Sequence, residues 1–188
     1  MISPPCEEYR DRKPKVVWWV VFLAGVSAWP GVVAQQACSS GTSSLPAVRF
    51  QDTGDGTVTD LESKLMWMRC SSGQQWLGKR CVGAAEVHGW IEAQRYADKV
   101  NRDGAAFFND WRVPSLRELA TITDRGCEDP RTNLSVFPGT PAAPFWSSTP
   151  RPGEGASERV LALSFGVEGV LLARKDERFH VRLVRTGP

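Results

Sequence analysis

Val113-Pro114-Ser115-Leu116-Arg117-Glu118-Leu119 is the stretch that decides the fold. Pro114 stops what precedes it, because its ring removes a backbone donor and restricts the residue before it. Ser115 and Glu118 then stand at the spacing of a capping box. The Glu118 N–H donates to the Ser115 hydroxyl, and the Ser115 N–H donates to the Glu118 carboxylate. Leu116, Leu119 and Ile122 follow as an apolar stripe that ends near Asp124. This is a helix start with a mechanism. Upstream, Trp90, Ala93, Ala97 and Val100 recur at three- and four-residue intervals, with Gln94, Arg95 and Asp98 between them. That spacing predicts a second helix over 90–100, stopped by residues 101–104.

Strand patterns lie on both sides of the two helices. The cluster Asp52-Thr53-Gly54-Asp55-Gly56 reads as a turn and leads into Thr57-Val58-Thr59-Asp60. Lys64-Leu65-Met66-Trp67-Met68 pairs with that run as an early hairpin. Downstream, residues 145–148, 160–165, 170–173 and 179–184 read as strands. The last alternates best: Phe179, Val181 and Leu183 face one way, and Arg178, His180 and Arg182 the other. The expectation is an α+β domain with two helices in the middle and antiparallel strands around them. No internal repeat is visible.

The chain has 188 residues and a net charge of +2. Residues 16–24, VVWWVVFLA, form an apolar core behind Arg10, Arg12, Lys13 and Lys15, and Val32-Val33-Ala34 offers a small-residue exit. These are the parts of a secretory signal over 1–34, cleaved to leave Gln35 first. An uncleaved anchor in the inner membrane is the rival, although Pro30-Gly31 cuts the apolar run short. Residues 35–48 then form a tether and 49–186 the domain. Past the leader the balance is 19 basic to 18 acidic, too even for a nucleic-acid binder. Cys38, Cys70, Cys81 and Cys127 remain, an even number suited to an oxidising compartment. Cys70 and Cys81 flank a short polar stretch and pair, which leaves Cys38 for Cys127. Zinc fails on spacing, since no two cysteines form a knuckle.

Several ordered blocks resemble one family. Residues 54–60 followed by Leu65-Met66-Trp67, then Asp110-Trp111-Arg112-Val113-Pro114 with Arg117-Glu118-Leu119, then Phe137-Pro138, Phe145-Trp146-Ser147-Ser148 and Val181-Arg182-Leu183-Val184-Arg185 resemble the C-terminal domain of the Legionella collagen-like adhesin. The resemblance runs from about Arg49 to Arg185. It implies a C-type-lectin-like fold, shared with formylglycine-generating enzymes, in which the terminal strands pair. It also implies a surface or periplasmic module associated with adhesion.

Each motif has a plain structural alternative. Asp52 and Asp55 supply too few oxygens for calcium and read better as turn residues. Trp67, Trp111 and Trp146 read as core, and Trp76, inside the polar cysteine loop, as the exposed tryptophan. Ser147, Ser148, His88 and His180 form no nucleophile elbow, so no enzyme, cofactor or metal is expected. Arg174, Lys175, Arg178, His180 and Arg182 form a basic cluster that, with Trp76, supplies the candidate ligand-binding residues. The expected function is an exported, non-enzymatic module that binds an anionic polysaccharide or a surface protein, in the periplasm, on the outer surface or in the medium. The alternative is a structural or accessory part of an envelope assembly with no soluble ligand.

Overall fold

Local chemistry sets the element boundaries. The computed structural model describes residues 36–39, 41, 43–151, 153 and 158–188, all within the unit Gln35–Pro188. The expected leader and its cleavage site lie outside them. In chain order come β1 (Ala37–Cys38), β2 (Phe50–Asp52), β3 (Thr57–Asp60), β4 (Leu65–Met68), β5 (Gln75–Leu77), β6 (Arg80–Val82) and β7 (Val87–His88). Helices α1 (Trp90–Arg102) and α2 (Leu116–Thr121) follow. Then come β8 (Cys127–Glu128), β9 (Pro144–Pro150), β10 (Arg159–Ser164), β11 (Val170–Arg174), β12 (Phe179–His180) and β13 (Val184–Thr186). The fold is α+β.

The capping box of α2 is formed as expected. The Ser115 N–H donates to Glu118 Oε2 at 2.7 Å and the Glu118 N–H donates to Ser115 Oγ at 3.3 Å. Arg112 clamps the same carboxylate with bonds of 2.8 and 2.6 Å. Its neighbours reach elsewhere: Asp110 accepts from Arg185 at 2.6 Å, and the Trp111 ring is buried. The block at 110–118 therefore ties α2 to the last strand. Helix α1 begins at Gly89, whose N–H donates to Glu92 Oε2 at 2.9 Å.

Two larger sheets carry the domain, in the orders β13-β4-β3-β2 and β11-β10-β9-β12-β7. The expected hairpin is present, with Val58 opposite Trp67. The expected pairing of terminal strands is not. The last strand, β13, pairs with β4, while β1 pairs with β8 and β2 with β3. The physical reason is adjacency. The meander β2-β3-β4 joins neighbours through tight turns, and β13 adds on the β4 side, where Arg112 and Val184 exchange backbone hydrogen bonds of 2.9 and 3.0 Å; β2 stays at the opposite edge.

Residues 179–184 also depart from the expected single strand. β12 belongs to the five-stranded sheet and β13 to the four-stranded one, and 181–183 cross between them. In the crossing, the Ser72 N–H donates to the Val181 carbonyl at 2.9 Å and the Met68 N–H to the Leu183 carbonyl at 3.1 Å. The alternation is real, but over 181–183 both sides are interior. Val181 and Leu183 join a core cluster with Trp111, Trp146 and Ala93. A second cluster holds Trp67, Phe137, Phe145 and Leu119. Arg182 points toward that second cluster and is 1% exposed.

Both expected disulfides are present, Cys38–Cys127 and Cys70–Cys81. They fit an oxidising environment outside the cytoplasm. Among the described residues no helix is long and apolar enough to cross a membrane.

Candidate functional site

The basic cluster near the C-terminus does not assemble into one charged face. Arg174 forks onto Asp176 with bonds of 2.9 and 2.8 Å. Arg178 pairs with Glu92 at 3.1 Å and donates to the Val87 carbonyl at 2.7 Å. Lys175 sits 4.9 Å from the centroid of the Trp90 ring. His180 shares a 2.9 Å hydrogen bond with the Glu86 carbonyl and packs on the Phe145 ring. Burial holds its pKa below the usual histidine value, against the opposing effect of that bond.

Arg182 is the clear correction. Expected on the solvent face, it is instead an interior cation that donates to the carbonyls of Met68 and Arg69 and to the hydroxyls of Ser71 and Thr140. Its guanidinium lies over the rings of Phe137 and Phe145. Burial lowers its pKa to about 9, which still leaves it charged at neutral pH. Carbonyl oxygens and π faces supply the compensation that a carboxylate usually gives.

A cleft forms at the other candidate, Trp76. The Cys70–Cys81 bridge closes a loop folded as the β5–β6 hairpin, with Trp76 opposite Cys81. Trp76 is half-buried, not exposed as expected. Arg69 lies 4.2 Å from its ring centroid. Arg69 is itself held by Asp52 Oδ2 at 2.7 Å and by the carbonyls of Val136 and Ser135. On another side stands Gly56, at φ +92°, where a Cβ would come within 2.8 Å of Trp76 Cβ and Cγ. Glycine is required there for both conformation and close approach.

Between this loop and α1 lies a cleft of about 240 Å³, lined by Asp55, Met68, Trp76, Tyr96, Val100 and Ala106 among others. Gln74 and Tyr96 separate it from a wider hollow of 550 Å³ that takes in Glu86, His88, Glu92 and Lys99. The turn cluster behaves as read from sequence: Gly54 N–H donates to Asp52 at 2.8 Å and Thr57 N–H to Asp55 at 3.0 Å. Burial raises the Asp55 pKa, but donors from Thr53 and Thr57 outweigh it and hold the carboxyl below its ordinary range. In the hollow His88 stacks on Tyr96 at 5.5 Å and lies 3.1 Å from Ser72 Oγ.

The far rim is the turn after α1. Ala106 and Phe107 both have positive φ, 50° and 64°, and Phe107 is 94% exposed. Such conformations cost about 1–3 kcal/mol each and collect at ligand clamps and active sites. Met68, Tyr96 and Phe107 carry no motif, so residue reading passed over them. Only the pair Gly78-Lys79 between two short apolar runs hinted that the cysteine loop is a hairpin.

The two imidazoles meet the Ser72 hydroxyl and the Glu86 carbonyl, not the serines weighed for catalysis. Ser147 is buried and donates to the Leu161 carbonyl, and its neighbour Ser148 is exposed. Among the described residues no three His, Cys, Asp or Glu side chains are grouped to hold a metal.

These features define a disulfide-stapled α+β domain with one cleft built on an aromatic and thioether wall. Residues 56–185 match the Lcl C-terminal domain, and the chain belongs to that family of adhesin-associated domains. No curated protein matches the chain.

Proposed function

We propose that this protein is an exported, non-enzymatic recognition module, and that the cleft between α1 and the Cys70–Cys81 loop holds its ligand, a surface protein. The observation that carries this is the wall of the cleft. Met68, Trp76, Val100 and Ala106 line it, and Phe107 beside them is almost wholly exposed. Accessible aromatic and thioether side chains lining a pocket are frequent anchors of a protein interface. An anionic polysaccharide has less support, because Arg174 and Arg178 already pair with acids and Arg182 is interior. The family's association with an adhesin and the two disulfides support a surface role.

The test is binding of the labelled, disulfide-bonded protein to intact cells pretreated with protease or with periodate. Binding should fall after protease, persist after periodate, and drop several-fold for Phe107→Ser. Loss after periodate with Phe107→Ser unaffected would move recognition to glycan and to another face.

A further inference from the structure

We propose that the cleft takes a basic side chain, lysine or arginine, presented by the partner protein, with the Asp55 carboxylate holding its cation and Met68, Trp76 and Val100 covering its stem. This rests on the cleft being the recognition site. Of the groups lining it, Cys70 is bridged and Tyr96 is neutral at pH 7, so Asp55 is the one fixed charge.

The carboxylate is oriented by its neighbours. Thr53 Oγ1, Thr57 Oγ1 and Thr57 N–H all donate to Oδ1, at 2.6, 2.7 and 3.0 Å. Asp55 forms no ion pair with a cation of the described residues. Asp52, three positions earlier, differs: Arg69 occupies it at 2.7 Å. Two nearby cations are engaged elsewhere, Arg69 by Asp52 and Lys99 by Asp103 at 2.7 Å.

Three ligand classes can be compared. An anion meets repulsion from Asp55. A purely apolar group strips water from a carboxylate and leaves it unpaired, which is costly. A long basic side chain satisfies both walls, since its methylene stem packs on apolar surface while its head stays polar. The volume, 240 Å³, suits one side chain rather than a length of polymer.

The experiment titrates the disulfide-bonded protein with N-acetyl-lysine amide, N-acetyl-arginine amide and N-acetyl-norleucine amide, followed by amide and indole NMR shifts. The cationic amides should shift the Trp76 indole and the Ala105 and Ala106 amides, and bind about tenfold tighter than norleucine amide. Asp55→Asn keeps the Oδ1 acceptor and should erase that preference, bringing the lysine and norleucine amides to equal affinity. On the wild type, raising salt should weaken the lysine amide and spare the norleucine amide, a readout that needs no variant. Equal binding of lysine and norleucine amides, or shifts remote from Trp76, would overturn the proposal. A preference for the cationic amides beside cell binding that survives protease would uphold this pocket and reject the surface-protein function.

Discussion

Replacing Arg182 with alanine strands the carbonyls of Met68 and Arg69 and opens a void under Phe137 and Phe145. Unpaired carbonyls and a cavity together should cost about 3–5 kcal/mol, read as a fall in urea midpoint. The two histidines give a pH test. Burial lowers the pKa of His88, with Glu86 and Glu92 opposing and Arg178 assisting. His180 is lowered by burial too, against its bond to the Glu86 carbonyl and with help from His88. Both stay neutral in the fold while the unfolded chain protonates near pH 6.5. Stability from them is therefore present above about pH 6.5 and is lost as pH falls toward their folded values. The carboxylates act lower: burial raises the Asp60 pKa, but Arg49, Ser63 and the Glu62 N–H outweigh it. Its contribution stays whole until the pH nears the ordinary Asp value of about 3.9. Urea midpoints at pH 7.5 and 5.0 should thus differ, and His88→Gln/His180→Gln should flatten the difference. No such flattening would place the acid sensitivity in other groups.

At the scale of elements, what was legible is what is local. The box Ser115 to Glu118 needs only its own turn, so α2 could be read outright. Ser115→Ala should cost about 1 kcal/mol, measured by thermal or urea unfolding. The helix α1 was likewise legible from its stripe of Ala93, Ala97 and Val100. Residues 179–184 show the limit. Alternation reports which side each residue faces, not what lies there, and Arg182 faces a second core instead of water. The parallel contact of β12 with β9, His180 beside Phe145, joins residues far apart in sequence and leaves no local mark. The disulfides follow loop length. Separations of 11 and 89 residues give about 3 and about 4.5 kcal/mol of loop-closure stabilisation. Cys127→Ser should therefore destabilise more than Cys81→Ser, whereas Cys81→Ser should disturb the cleft more. A reversed order in the urea midpoints would contradict the entropic account.

Across the whole molecule, the site depends on parts that no single segment announces. Asp55 comes from the β2–β3 turn, Met68 from β4, Trp76 from the disulfide hairpin, and Tyr96 and Val100 from α1. Trp76 was marked from sequence because it lay in a polar loop. Its neighbours line a cleft only once the chain folds them around it. The basic cluster drew notice through charge density, but acids from the same turn and from α1 neutralise Arg174 and Arg178, and Arg182 is interior. The most direct measurement places a photo-crosslinking benzoylphenylalanine at position 107 and, as a control, at position 167, another exposed apolar site. Both variants are irradiated on intact cells. The account predicts a covalent protein adduct from position 107 and none from position 167. Adducts of equal yield from both, or none from 107 by a protein that still binds, would contradict it.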